Sequence, residues 1–174
     1  MKVKILNSGS DGNAYVVTDK EGNQLLIECG IKIKDILRNI HIDKLQGCIV
    51  SHAHKDHSLS KEHLKRYGIP VYDEETLSVG RMEHIGDYKI FPIHSEHNID
   101  CFGFIISVVR ENKKILFVTD CFEIDKKTPD IAYDLAMLEC NYSEEYISKM
   151  GYNNDDVGFY NHMSSERLRD WILN

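Results

Sequence analysis

One residue after the apolar run Cys48-Ile49-Val50, the chain carries His52-Ala53-His54-Lys55-Asp56-His57, three imidazoles and a carboxylate within six residues. The apolar run reads as a buried strand, so the fold must end a buried strand at a polar site. In extended chain, residues two apart point the same way, so His52 and His54 offer ring nitrogens to one ion. Asp56 and His57 then turn toward a second. A strand end holds such ligands more rigidly than a loop does. The bland alternative, an accidental His-rich loop, has to explain why these ligand types coincide with a strand end.

Around this motif the first third alternates short β-prone runs with turn signals. Val3 to Leu6, Ala14 to Thr18 and Leu25 to Glu28 are separated by Ser8-Gly9-Ser10-Asp11-Gly12-Asn13 and Glu21-Gly22-Asn23, which reads as an antiparallel meander. Ile33, Ile36, Leu37 and Ile40 have helical spacing. Ser60 is a candidate cap for a helix through Tyr67, stopped by Gly68 and Pro70 before a short strand Val71-Tyr72. The second half repeats the plan, with strands at Tyr88 to Ile93, Phe102 to Val109, Ile115 to Thr119 and Leu135 to Leu138. Helices follow, with Ser143 and Ser164 as N-caps, the first running toward Met150 and the second holding Leu168, Trp171 and Ile172. Two strand-rich halves, each ending in helix, predict an α+β fold of two packed sheets with helices outside. The length of 174 residues suits one domain over 1–174.

The apolar runs are strand-sized and too short to span a membrane, and the N-terminus lacks the pattern of a secretory signal. A cytoplasmic protein is expected. Cys29, Cys48, Cys101, Cys121 and Cys140 are odd in number and without a Cys-x-x-Cys pair, so they read as reduced, buried small hydrophobes. The formal charge of −7 disfavours a wholly basic binding surface but is unevenly spread. Residues 31–66 hold eight Lys or Arg against four Asp or Glu, while residues 111–156 hold eleven acids against five bases. Lys32, Lys34 and Lys55 are therefore candidates for contact with an anionic substrate, against the simpler reading of a solvated face.

Two complete sites need further ligands. His97 precedes the strand from Phe102, with His94 a competitor three residues earlier; Asp120 ends the strand from Ile115; His162 precedes the terminal helix. The expected set is His52, His54 and His97 on one ion, Asp56, His57 and His162 on the other, and Asp120 between them. The bland reading of Asp120 is a turn former after a strand. His41, His63 and His84 read as surface or helix residues. The Ser8 to Asn13 loop reads equally as a phosphate cradle and as a hairpin connection.

With these residues in hand, the sequence resembles the metallo-β-lactamase superfamily, whose His-x-His-x-Asp-His stands intact at residues 52 to 57. Gly9-Ser10-Asp11-Gly12-Asn13-Ala14, Leu25-Leu26-Ile27-Glu28-Cys29-Gly30, Leu138-Glu139-Cys140-Asn141-Tyr142 and His162-Met163-Ser164-Ser165 look like its YycJ/WalJ-type exonuclease branch. The resemblance implies a metallo-β-lactamase-like αββα sandwich of two mixed sheets, two metals at one edge, and phosphodiester hydrolysis in DNA or RNA. It favours His97 over His94, because the family's ligand stands a few residues before a Gly-aromatic pair, here Gly103-Phe104. Glu28 stands where the family usually has Asp, a carboxylate that supports the site. Asn98 replaces an acid, and the chain is shorter than typical members.

Imidazoles and carboxylates without thiolate suit two divalent ions, Zn or Mn ahead of Fe. Bridged by Asp120, they would lower the pKa of a shared water toward about 7 and give hydroxide as nucleophile, with Asp56 and Asp120 as the catalytic carboxylates. The acid for the leaving group is open between His94 and metal-bound water. Glu28 is expected to orient a ligating imidazole, and Glu139 and Asn141 to be supporting or structural. The expected function is a dinuclear-metal-dependent phosphodiesterase or nuclease on DNA or RNA, with single-strand exonuclease as its narrowest form. The alternatives are a small-molecule hydrolase of thioesters or lactams, marked by a hydrophobic pocket in place of a basic groove, and a metal-stabilised binding domain without turnover. Nucleic acid is the expected partner, no membrane is, and the oligomeric state is left open.

Overall fold

In a computed structural model, residues 1–124, 129, 131–150 and 162–173 are described. Among them ten strands form two five-stranded sheets. The first sheet takes β1 (Lys2–Asn7), β2 (Ala14–Thr18), β3 (Gln24–Ile27), β4 (Leu45–Ile49) and β5 (Val71–Tyr72) in sequential order. The β1-β2-β3 meander is antiparallel as expected, and β4 and β5 add in parallel. The second sheet runs β10 (Leu135–Leu138), β9 (Lys113–Val118), β8 (Cys101–Val108), β7 (Tyr88–Ser95) and β6 (Glu83–Ile85), with only the β9–β10 pair parallel.

Side chains alternate between the faces of each strand, and the alternation builds the layers. Tyr15, Val17, Leu25, Ile27 and Ile49 meet Tyr88, Ile90, Phe104, Ile106 and Phe117 between the sheets. The opposite-facing Val16, Leu26, Cys48 and Val50 pack under Ile36 of α1 (Ile33–Leu37) and Leu64 of α3 (Lys61–Arg66). On the far side Ile105, Leu116 and Val118 pack against Met163 and against Leu168 and Trp171 of α5 (Ser165–Leu173). The order helix, sheet, sheet, helix is the expected αββα sandwich. No helix among the described residues is long and apolar enough to cross a membrane.

Several local expectations change. The strand expected through Val109 stops at Val108, and a 3-10 turn over Val109–Glu111 ends on left-handed Asn112. The short strand β6 carried no clear alternation, and only its pairing with β7 reveals it. Ser60 does start α3, but its hydroxyl donates to Ile31 O at 2.6 Å instead of capping the helix. The other two caps form, since Ser143 Oγ accepts from Tyr146 N at the start of α4 (Glu144–Lys149) and Ser164 Oγ from Arg167 N. All five cysteines are free, and four are buried as expected, whereas Cys140 is exposed.

Candidate metal centre

Three backbone segments stack at the end of β4 and fix the site. Asn13 N donates to Asp56 O, Gly30 N to Asn13 O, and Cys29 N to His57 O, at 2.7–2.9 Å. The stacking needs residues without a side chain. A Cβ on Gly30 would lie 1.6 Å from Asp56 O, and one on Gly12 would lie 2.4 Å from Gly30 O. The hexapeptide is therefore not extended throughout. His54 is the N-cap of a helical turn, α2 (Lys55–Ser58), which carries Asp56 and buries His57.

This bend brings the ligand types together. His52 Nε2 lies 3.0 Å from His54 Nδ1, and His97 Nε2 lies 3.3 Å from the same atom. Asp120 Oδ2 is 3.5 Å from His52 Nε2 and 2.9 Å from His57 Nε2, and Asp56 Oδ2 is 3.4 Å from His57 Nε2. Ligand atoms lie within 4.8 Å of one another in three groups: His52, His54, His97 and Asp120; Asp56, His57 and Asp120; and Asp120, Glu139 and His162. Asp120 is common to all three. It follows β9 in the left-handed region, with φ 45°, a conformation Asp tolerates better than most residues.

His162 is grouped with Glu139 and Asp120, and Asp56 lies near enough to act on its charge. Its Nδ1 is 2.5 Å from Glu139 Oε1 and 3.9 Å from Asp120 Oδ1. Glu139 was not among the expected ligands. It follows β10 as Asp120 follows β9, and the parallel pairing of those strands is the signal that links them. Asn13 is a second unanticipated neighbour, its Nδ2 3.1 Å from His57 Nε2. Glu28 lies fully buried behind the site, its Oε2 3.5 Å from His57 Nδ1. His94 is exposed and does not line the cleft.

The electrostatics follow from burial and neighbours. Burial, reinforced by the charge of His57, lowers the His52 imidazole to about 3, so it presents neutral nitrogen at physiological pH. Burial works against a charged His57 too, but Asp120 and Glu28 outweigh it and raise that imidazole to about 10. Burial opposes ionisation of Asp120, yet His57 holds its carboxyl well below the usual carboxylate range. The donor set fits divalent cations. Ring nitrogens of His52 and His97 converge on His54 Nδ1 at 3.0 and 3.3 Å, and imidazoles beside carboxylates match borderline metals.

A cleft of about 760 Å³ opens at the cluster, lined by His54, Asp120 and His162 and by Ile5, Tyr15 and Met137. Among the described residues lining it there is no Lys or Arg. Lys32, Lys34 and Lys55 are exposed and are not among the residues that line this cleft.

No family model matches the chain. It is 29% identical over 178 residues to the exodeoxyribonuclease YycJ of Bacillus anthracis, covering 84% of this chain and 65% of that protein, so it spans just under two thirds of the relative's length. Among solved structures it is similar to YhfI of Bacillus subtilis, a metallo-β-lactamase fold protein, with a TM-score of 0.73 at 18% identity over 95% of this chain and 78% of that one. It is also similar to the short form of human tRNase Z, with a TM-score of 0.69 at 12% identity over 99% of this chain and 88% of that one.

Proposed function

We propose that this chain, which has the metallo-β-lactamase fold, is a metal-dependent hydrolase of phosphodiester bonds in nucleic acid. The observation that carries the reading is the position of Asp120 at the meeting point of three ligand groups. Similarity to a bacterial exodeoxyribonuclease and to a tRNase Z supports the substrate class.

His52, His54, His97 and Asp120 would hold one ion, and Asp56, His57, His162 and Asp120 the other, with Zn or Mn the best match to the donors. Such ions supply Lewis acidity, bringing the pKa of water toward about 7 and neutralising charge on a phosphoryl group. The protein's own part is positional. Asp56 and Asp120 present carboxylates to the cleft, while burial keeps His52 neutral. His162 was expected to complete the second ion's ligands. The contact of its Nδ1 with Glu139 supports that role, since it leaves Nε2 as the free ring nitrogen and a carboxylate is a usual outer partner of a ligating imidazole. A cytoplasmic enzyme acting on DNA or RNA is consistent with this chemistry.

A second reading rests on the cleft wall. A cleft flanked by Ile5, Tyr15 and Met137, without a basic side chain among its described residues, also suits a small-molecule thioester or lactam. The two separate when purified protein, loaded with Mn or with Zn, meets labelled single-stranded DNA, RNA, bis-para-nitrophenyl phosphate and a lactam reporter. Phosphodiester cleavage is expected; its absence with every metal overturns the proposal, and turnover of the lactam alone establishes the second reading.

A further inference from the structure

Ser51 is fully buried and immediately precedes His52. Its three polar groups go to three different places. The N–H donates to the Glu28 carboxylate, 3.2 Å from Oε1 and 3.4 Å from Oε2. The carbonyl accepts from Phe102 N of the facing sheet at 2.9 Å. The hydroxyl oxygen lies 2.8 Å from His52 Nδ1.

From these contacts we infer that Ser51 is the positioning residue for the His52 half of the centre, resting on the metal-dependent reading above. The other ring nitrogen, Nε2, is the one turned to the cluster, 3.0 Å from His54 Nδ1 and 3.5 Å from Asp120 Oδ2. A neutral imidazole carries one proton, so a lone pair on Nε2 requires the proton on Nδ1. That N–H needs an acceptor in a site closed to water. Ser51 Oγ is in hydrogen-bond range, whereas the nearby Cys101 Sγ, at 3.6 Å, is a weak acceptor. Ser51 thus supplies the acceptor that the tautomer presenting Nε2 requires, and it holds the ring plane.

The same residue reaches the other half by its backbone. Its N–H steadies Glu28, whose Oε2 is 3.5 Å from His57 Nδ1. The two connections are separable, because replacing the side chain leaves the backbone donor in place. Ser51→Ala therefore weakens one ion only, the ion held by His52, His54 and His97, while the Asp56 and His57 half keeps its support.

The test titrates purified wild type, Ser51→Ala and Ser51→Thr with Zn against a chromophoric chelator, and reads the His52 tautomer from nitrogen-15 NMR. In Ser51→Ala one Zn should weaken by about 10- to 100-fold, the scale seen when the outer partner of a ligating histidine is lost, and the His52 signals should shift to mixed tautomers. The other Zn should hold, while the melting temperature falls by only a few degrees, the effect of one buried N–H losing its acceptor. Ser51→Thr keeps the hydroxyl and should retain affinity; should its added methyl prevent folding, Ser51→Cys, a weaker acceptor of similar shape, should fall between Ala and wild type. Unchanged Zn affinities with an unchanged His52 tautomer in Ser51→Ala overturn the inference and leave the hydrolase reading intact. Wild type that binds two Zn yet cleaves no phosphodiester overturns that reading and leaves Ser51 in its role, and wild type that binds no Zn overturns both.

Discussion

Glu139 holds His162 with one carboxylate oxygen, Oε1 to Nδ1 at 2.5 Å, while the other accepts the N–H of Cys121 at 2.7 Å, the peptide just after Asp120. One buried side chain therefore orients the imidazole and pins the turn that presents the shared carboxylate. Glu139→Gln keeps an oxygen for Cys121 but loses the charge facing His162. It should lower kcat on bis-para-nitrophenyl phosphate by about 10- to 100-fold with stability within about 1 kcal/mol of wild type. Glu139→Ala should add a further loss of about 1–3 kcal/mol, since a buried N–H is left without an acceptor. Wild-type kcat in Glu139→Gln would remove the residue from the mechanism.

Gly30 is where the packing of the centre is least forgiving. Its missing Cβ is replaced in space by Asp56 O, at 1.6 Å, and by His57 N, at 2.7 Å. Gly30→Ala has to push α2 away from the meander, which moves Asp56 and His57 together. Overpacking of this kind costs about 1–3 kcal/mol, and elemental analysis should find the second ion lost. A Gly30→Ala protein that retains both ions at wild-type stability would show that the stacked segments do not set the ligand geometry.

These two sites also mark what was legible in the sequence. The layers could be read because Val16, Leu26 and Val50 alternate with Tyr15, Val17 and Ile49, and such alternation survives in one dimension. His52, His54 and Asp120 could be read because each stands at a strand end. The helical turn at Lys55–Ser58 could not, since it is imposed by backbone bonds to Asn13 and Cys29, far away along the chain. Glu139 was visible as a residue but not as the partner of His162, because its role depends on β10 lying parallel beside β9. The basic stretch over residues 31–66 suggested a groove, yet helical geometry turns Lys32 and Lys34 to solvent while Ile36 faces inward.

Asp120 combines backbone strain with a shared carboxylate, and two substitutions separate them. Asn tolerates the left-handed region about as well as Asp, so Asp120→Asn should keep the turn while lowering metal content from two ions to one or none. Asp120→Ala should lose the metal and in addition about 1 kcal/mol from placing an ordinary residue at φ 45°. Elemental analysis and thermal melting read the two effects apart. Two ions bound in Asp120→Asn would show that this carboxylate does not bridge them.

Glu28 sits at φ 61° with no exposure to solvent, and its carboxylate serves Ser51 N and His57. Burial dominates and raises its pKa, against the pull of His57 and Ser51. Glu28→Ala leaves the buried Ser51 N–H unsatisfied, at a cost of about 1–3 kcal/mol, and removes the partner of His57. Zn affinity at the Asp56 and His57 half should fall, the half that Ser51→Ala spares. Equal weakening of both ions in Glu28→Ala would mean that the two halves are not independently supported.

Outside the candidate centre, Glu166 ties α5 to α4. Its carboxylate accepts from Ser143 Oγ at 2.8 Å and from Glu144 N at 3.0 Å, so a side chain of α5 caps α4. The backbone hydrogen bond from Glu144 and the bond from Ser143 hold its carboxyl down at about 2, against about 4.3 for an unperturbed Glu. A carboxyl depressed in the folded state contributes stability that is fully present above the unfolded value and is lost as pH falls through the folded one. Protection of the Glu144 and Glu145 amides against hydrogen exchange should therefore weaken from about pH 4.3 down toward about pH 2 in the wild type. In Glu166→Gln the same amides should start less protected and lose less protection over that window, because the capping group itself no longer titrates. Parallel loss of protection in both proteins would assign the acid sensitivity of this contact to another group.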